Sequence, residues 1–110
     1  MKIDFKPHAN VMVVTPHGPI IGDDAQEFRE NVTASIQERE GRVVIDMEYA
    51  PYLDSVGIEA LLALCNGPGL VRPRVANLGE TCREALDLTL VLPEFEVFDT
   101  VENAIRSYKR

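Results

Sequence analysis

The chain has 110 residues, enough for one domain around one hydrophobic core, with no need of a disulfide or metal staple. Eighteen acidic against eleven basic residues leave a formal charge of −7, which argues against binding a phosphate backbone, because counterion release needs clustered Lys and Arg. Trp is absent and the aromatics are three Tyr and four Phe, so base-stacking platforms are not expected either.

In chain order, Lys2–Phe5 and Val11–Thr15 are extended candidates, and the turn-prone His8-Ala9-Asn10 between them predicts a hairpin. Pro16 and Gly18-Pro19 end the second strand. Asp23 or Asp24 then opens an amphipathic helix through about Glu40, with Phe28, Val32 and Ile36 at four-residue steps and Gly41 as its stop. The run Val43, Val44, Ile45, Asp46, Met47 opens with three β-branched residues, as a central strand requires, and the strand spans 42–48. After a loop, Ser55 to about Cys65 is a helix, with Ile58, Leu61, Leu62 and Cys65 on its apolar side.

Asn66-Gly67-Pro68-Gly69 is a loop that Arg72-Pro73-Arg74 continues. Val75–Leu78 is a short strand, Glu80–Leu88 a helix, Phe95–Phe98 a last strand, and Val101–Tyr108 a helix capped by Asp99 or Thr100. This alternation predicts a single α/β domain over 1–110: a mixed, mostly parallel sheet packed with about four helices. Cys65 and Cys82 fall in apolar helical patterns and have no metal-type spacing, so each is expected as a small core residue of a reduced cytoplasmic protein. No secretory segment or membrane-length apolar run occurs, so membrane insertion is not expected.

Ser55, at the junction of the central strand's loop and the next helix, has three candidate roles. It can cap the helix, a role that contributes about 1 kcal/mol. It can attack a substrate, but the nucleophile elbow needs Gly two residues earlier, where this chain has Leu53, and neither His8 nor His17 has a triad context. It can also accept a phosphate, whose charge the helix N-terminus tolerates while Asp54 repels it. Asp46 and Asp54 flank the loop 48–53, and an Mg2+ pair there would need further oxygen ligands, so no metal is expected. Gly67-Pro68-Gly69 lacks the Lys-Ser/Thr of a phosphate loop, and Arg72 with Arg74 is too small a cluster for nucleic acid. Arg106, Lys109 and Arg110 oppose the last helix dipole.

The stretch Val43-Val44-Ile45-Asp46-Met47, then Tyr52-Leu53-Asp54-Ser55-Val56-Gly57-Ile58, then Leu61-Leu62, resembles the signature of STAS domains. These are the domains of bacterial anti-sigma factor antagonists, found also at the ends of sulfate transporters. The resemblance extends to the turn at Gly18, to Asn77-Leu78-Gly79, and to Phe98-Asp99-Thr100-Val101-Glu102-Asn103-Ala104 before the final helix.

It implies a non-enzymatic switch in which Ser55 is phosphorylated by a partner serine kinase that is also the anti-sigma factor, and a phosphatase resets the cycle. Unphosphorylated, the protein would bind that partner and free the sigma factor. Asp54, Val56, Gly57 and Ile58 would form the adjoining contact surface, Gly57 leaving room for approach, with Asp23 and Asp24 as further candidates. ATP would belong to the kinase, so no cofactor is expected in this chain.

Three positions depart from the family pattern. Ile21 stands where an acidic residue is common, Val56 where a small one is common, and Thr89-Leu90 lacks a glycine. Two other readings follow from the same residues: a constitutive STAS subunit of a signalling scaffold or membrane transport complex, and a small enzyme using Asp46, Asp54 and Ser55. Self-association is left open.

Overall fold

The computed structural model describes residues 1–108. Its elements are β1 (Lys2–His8), β2 (Val11–His17), α1 (Gly22–Glu38), β3 (Val43–Asp46), α2 (Ser55–Cys65), β4 (Arg74–Ala76), α3 (Glu80–Leu88), a 3-10 turn (Leu92–Glu94), β5 (Val97–Phe98) and α4 (Val101–Arg106). The five strands lie in sequence order, β1-β2-β3-β4-β5. Only β1 and β2 pair antiparallel; the other three pairings are parallel, so the expected mixed, mostly parallel sheet with four helices is what forms.

Sequential order with right-handed crossovers carries every crossover helix to one face of a sheet. That face holds the main core. Met12, Val14, Val43, Ile45 and Val75 pack there against Phe28 and Val32 of α1, Leu61 and Leu64 of α2, and Leu86 of α3. Alternate strand residues point the other way. Val11, Val13, Val44 and Ala76 meet Ala104 and Ile105 of α4 in a second, smaller core. β3 is therefore buried on both faces along its whole length, as the β-branched run Val43-Val44-Ile45 leads one to expect. α4 has only six residues and packs against β3, β4 and β5. On that face β1 and the Thr15–His17 end of β2 are left open.

The hairpin strands are seven residues each, longer than periodicity suggested, and the loop shortens to Ala9 and Asn10 between the paired His8 and Val11. β3, β4 and β5 are shorter than expected, and Leu92–Glu94 turns as a 3-10 helix that seats Phe95 in the core. α4 ends at Arg106 rather than Tyr108, and Thr100 is its cap, accepting from the Asn103 N–H at 3.1 Å. Lys109 and Arg110, expected to oppose that helix dipole, lie outside the described residues.

α1 stops at Glu38, two residues short of the expected end. Glu40 takes the left-handed conformation (φ +54°) and the Gly41 N–H donates to the Ile36 carbonyl at 2.9 Å, closing the last turn. Gly41 answers a second demand there: a Cβ would lie 2.0 Å from the Val71 carbonyl oxygen. Both cysteines are free and buried. Burial pushes the Cys65 thiol up to about 12, and Cys82 upward too, so neither is a ready thiolate. No helix among the described residues is long and apolar enough to cross a membrane.

Candidate functional site

Two loops leave the sheet at the C-terminal ends of β2 and β3 and run side by side. The Gly18 N–H donates to the Tyr49 carbonyl at 3.0 Å and the Ile20 N–H to the Tyr52 carbonyl at 3.1 Å. Ile20 and Leu53 form an isolated parallel bridge, and both side chains enter the core. The helices that follow these loops, α1 and α2, consequently start next to each other.

Asp54 joins the two starts. One carboxylate oxygen accepts from the Gly57 N–H at 2.9 Å, capping α2; the other accepts from the Gly22 N–H at 3.1 Å, at the first residue of α1. Two sequence expectations are corrected here. The cap of α2 is Asp54 and not Ser55, because Ser55 already has helical geometry as the first residue of the helix. Neither Asp23 nor Asp24 opens α1, which begins at Gly22 (φ +51°) behind Ile21 without a side-chain cap of its own. The spacing Asp54-x-x-Gly57, a cap followed three residues later by a residue with a free N–H, was the signal for this arrangement.

Ser55 is thereby released from structural duty. It is exposed in the first turn of α2, and its hydroxyl makes no hydrogen bond among the described residues. Val56 beside it, expected as a contact residue, is 42 % exposed, and Tyr52, just before it and not singled out as a contact in the sequence, is 49 % exposed; together they form an apolar rim. Tyr49 lies in the same loop. Ile58 is half-buried and packs on the main core.

Gly57 does not open the surface. It is buried, and a Cβ there would lie 2.0 Å from the Ile20 carbonyl oxygen and 2.9 Å from the Leu53 Cβ. Its missing side chain is what lets α2 start against the neighbouring loop, and so it sets the height of Ser55. Asp23 is exposed on the first turn of α1; Asp24 is half-buried and receives the Met1 amino group at 3.4 Å.

The carboxylates Asp46 and Asp54 do not form one site. Asp54 spends both oxygens on the helix starts, whereas Asp46, level with Ala76 in the sheet, lies on the α4 face. Its Oδ1 accepts from the Glu48 N–H at 3.1 Å and from the Asn77 side-chain amide at 3.0 Å. No group of three or more His, Cys, Asp or Glu side chains suited to a metal occurs among the described residues. His17 binds Asp4 at 2.8 Å and stacks on Tyr49 with ring centroids 5.0 Å apart, with no serine in the arrangement.

Comparison with known proteins agrees with this architecture. The family model described as the STAS domain matches residues 2–104. An anti-sigma factor antagonist from Mycobacterium paratuberculosis is similar in structure, with a TM-score of 0.85 at 23% identity, covering 99% of this chain and 94% of that one. A Thermotoga maritima protein proposed as an anti-sigma factor antagonist also has a TM-score of 0.85, at 15% identity, covering 98% of this chain and 95% of that one. The Bacillus cell-fate determinant SpoIIAA in its phosphorylated form has a TM-score of 0.64 at 17% identity, covering 98% of this chain and all, 100%, of that one. No match was found among curated proteins.

Proposed function

The chain belongs to the STAS domain family, and from that membership we propose that it is an anti-sigma factor antagonist, a non-enzymatic protein-interaction switch controlled by phosphorylation of Ser55. In the unphosphorylated state the surface around Ser55 docks on a partner that is both anti-sigma factor and serine kinase, and a phosphatase restores that state. The observation that carries this reading is the division of labour at the start of α2. Asp54 holds the cap, so the exposed Ser55 hydroxyl accepts a phosphoryl group without any native hydrogen bond being broken.

The consequences follow from charge and size. A phosphate adds about −1.5 to −2 charges. The N-terminal end of α2 favours that charge, so the fold survives. The same charge, set among Val56, Tyr52 and the carboxylates Asp54 and Asp23, is costly to bury against an apolar partner surface. Val56, Ile58 and Asp54 make up the contact surface, with Asp23 and Asp24 flanking it on α1 and Gly57 fixing its height from beneath.

A pull-down from native cells with three baits, wild type, Ser55→Ala and Ser55→Asp, checks the reading. Wild type and Ser55→Ala are expected to recover a serine kinase, which phosphorylates the wild type alone, and Ser55→Asp is expected to lose it by tenfold or more. If all three recover the same partner equally, the switch fails and a constitutive interaction module takes its place.

A further inference from the structure

We propose that the groove beside α4, over β1 and the open end of β2, is a binding site for a small organic cation carrying a protonated amine. The short α4 leaves a groove of about 800 Å³ over β1 and β2, within the size that small-molecule sites occupy. Asp46 lies in its floor, at the end of β3, with only 8% of its surface exposed.

Burying a carboxylate calls for a counter-charge or a full set of donors. Asp46 has neither. Both of its hydrogen bonds, from the Glu48 N–H and the Asn77 amide, fall on Oδ1. Its Oδ2 has no hydrogen bond, and no cation pairs with the carboxylate among the described residues. Asn77 reaches it from a left-handed backbone conformation (φ +55°), which asparagine adopts more readily than other residues with a Cβ.

The rest of the groove suits the same ligand. Asp4, paired with His17, and Glu48 and Glu102 add three carboxylates to the lining, and Lys6 and Arg106 are its full-time cations. The Arg106 guanidinium is drawn to the Asn103 side chain at 3.0 Å. Tyr49, 53% exposed, stacks one ring face on His17 and leaves an aromatic surface at the groove's end, which favours a cation. An ammonium donates into the free Oδ2 while its carbon chain lies along Val13 and Ile105.

Calorimetric titration of the whole protein with spermidine tests this, with MgCl2 titrated in parallel. Wild type and Glu30→Gln, which removes an exposed carboxylate from α1, are expected to bind spermidine alike. Asp46→Asn, which keeps the Oδ1 acceptor, is expected to bind at least tenfold more weakly, and Tyr49→Ala several-fold more weakly. In the absence of spermidine, Asp46→Asn is expected to melt close to the temperature of wild type, since it keeps the Oδ1 acceptor for the Glu48 N–H and the Asn77 amide. Equal spermidine binding by Asp46→Asn and wild type would mean diffuse attraction to an acidic protein and would overturn the proposal. So would Mg2+ binding that is lost in Asp46→Asn while spermidine is ignored, or the absence of spermidine binding to wild type. Should Asp46→Asn lack a native circular dichroism spectrum, Tyr49→Ala compared with Glu30→Gln decides in the same way.

Discussion

The neighbours Asp54 and Ser55 are both good capping residues, and the backbone decides between them. Asp54 is extended (φ −100°, ψ −171°) while Ser55 is already helical, so only the Asp54 carboxylate points back at the Gly57 N–H. Because its second oxygen holds the Gly22 N–H, losing Asp54 loosens two helix starts at once. Asp54→Ala is therefore expected to cost about 1–3 kcal/mol, a cap plus a charged hydrogen bond. Ser55→Ala, at an exposed side chain with no partner, is expected to stay within about 0.5 kcal/mol of wild type. Urea unfolding of the two variants reads the difference, and a larger loss for Ser55→Ala would return the cap to the serine. This part of the site was half legible in the residues. Ser55 as a surface hydroxyl at a helix start was visible, but which of two adjacent capping residues does the capping depends on dihedral angles that the neighbouring loop imposes.

Helix ends show the same dependence one level up. The C-terminus of α3 lacks the glycine expected there, yet it closes as a glycine-ended helix would. The Val91 N–H donates to the Leu86 carbonyl and the Leu90 N–H to the Asp87 carbonyl, both at 3.0 Å, with Leu90 itself left-handed at φ +63°. For a residue with a Cβ that conformation costs roughly 1–2 kcal/mol, and Leu90, 85% exposed, recovers almost nothing by burial. Leu90→Gly is expected to stabilise the protein by about 0.5–1 kcal/mol once glycine's greater unfolded-state freedom is deducted, seen as a higher urea midpoint at unchanged slope. A lowered midpoint would mean that Leu90 makes contacts which its exposure conceals. At the other end of α1, Glu40 and Gly41 both take positive φ, and the sequence signal was clear only for Gly41. Glycine advertises such a position, whereas Glu or Leu is driven into it by the packing of the chain that follows.

Across the molecule, stability is graded from the middle of the sheet to its edge. β3 is sandwiched between two strands and two cores, while β1 is an edge strand. The Met12 N–H donates to the Arg42 carbonyl, toward β3, so its β1 partner Pro7 turns its backbone outward, as do Ile3 and Phe5. A proline without an N–H at the free edge, flanked by Lys6, hinders another strand from adding there. Hydrogen exchange is expected to be slowest at Val44 and Ile45, approaching global unfolding, and fastest within the sheet at Ile3 and Phe5. Comparable protection at Ile3 would show that the edge is covered by a second strand in solution.

The sequence by itself determined the order and type of the elements, the buried central strand, the two core cysteines and the exposed helix start at Ser55. Those features rest on local periodicity, turn chemistry and composition, which neighbouring residues carry. Only the tertiary structure decided the rest. It assigned the cap to Asp54, turned Gly57 inward against Ile20, and parted Asp46 from Asp54 onto different sides of the fold. It also left the β1 edge of one face open, because α4 ends after six residues and reaches no further than Val11 and Val13 of β2. Each of these depends on contacts between residues far apart in the chain, where a carboxylate finds its donor or a Cβ its obstacle only after the loops have been brought together.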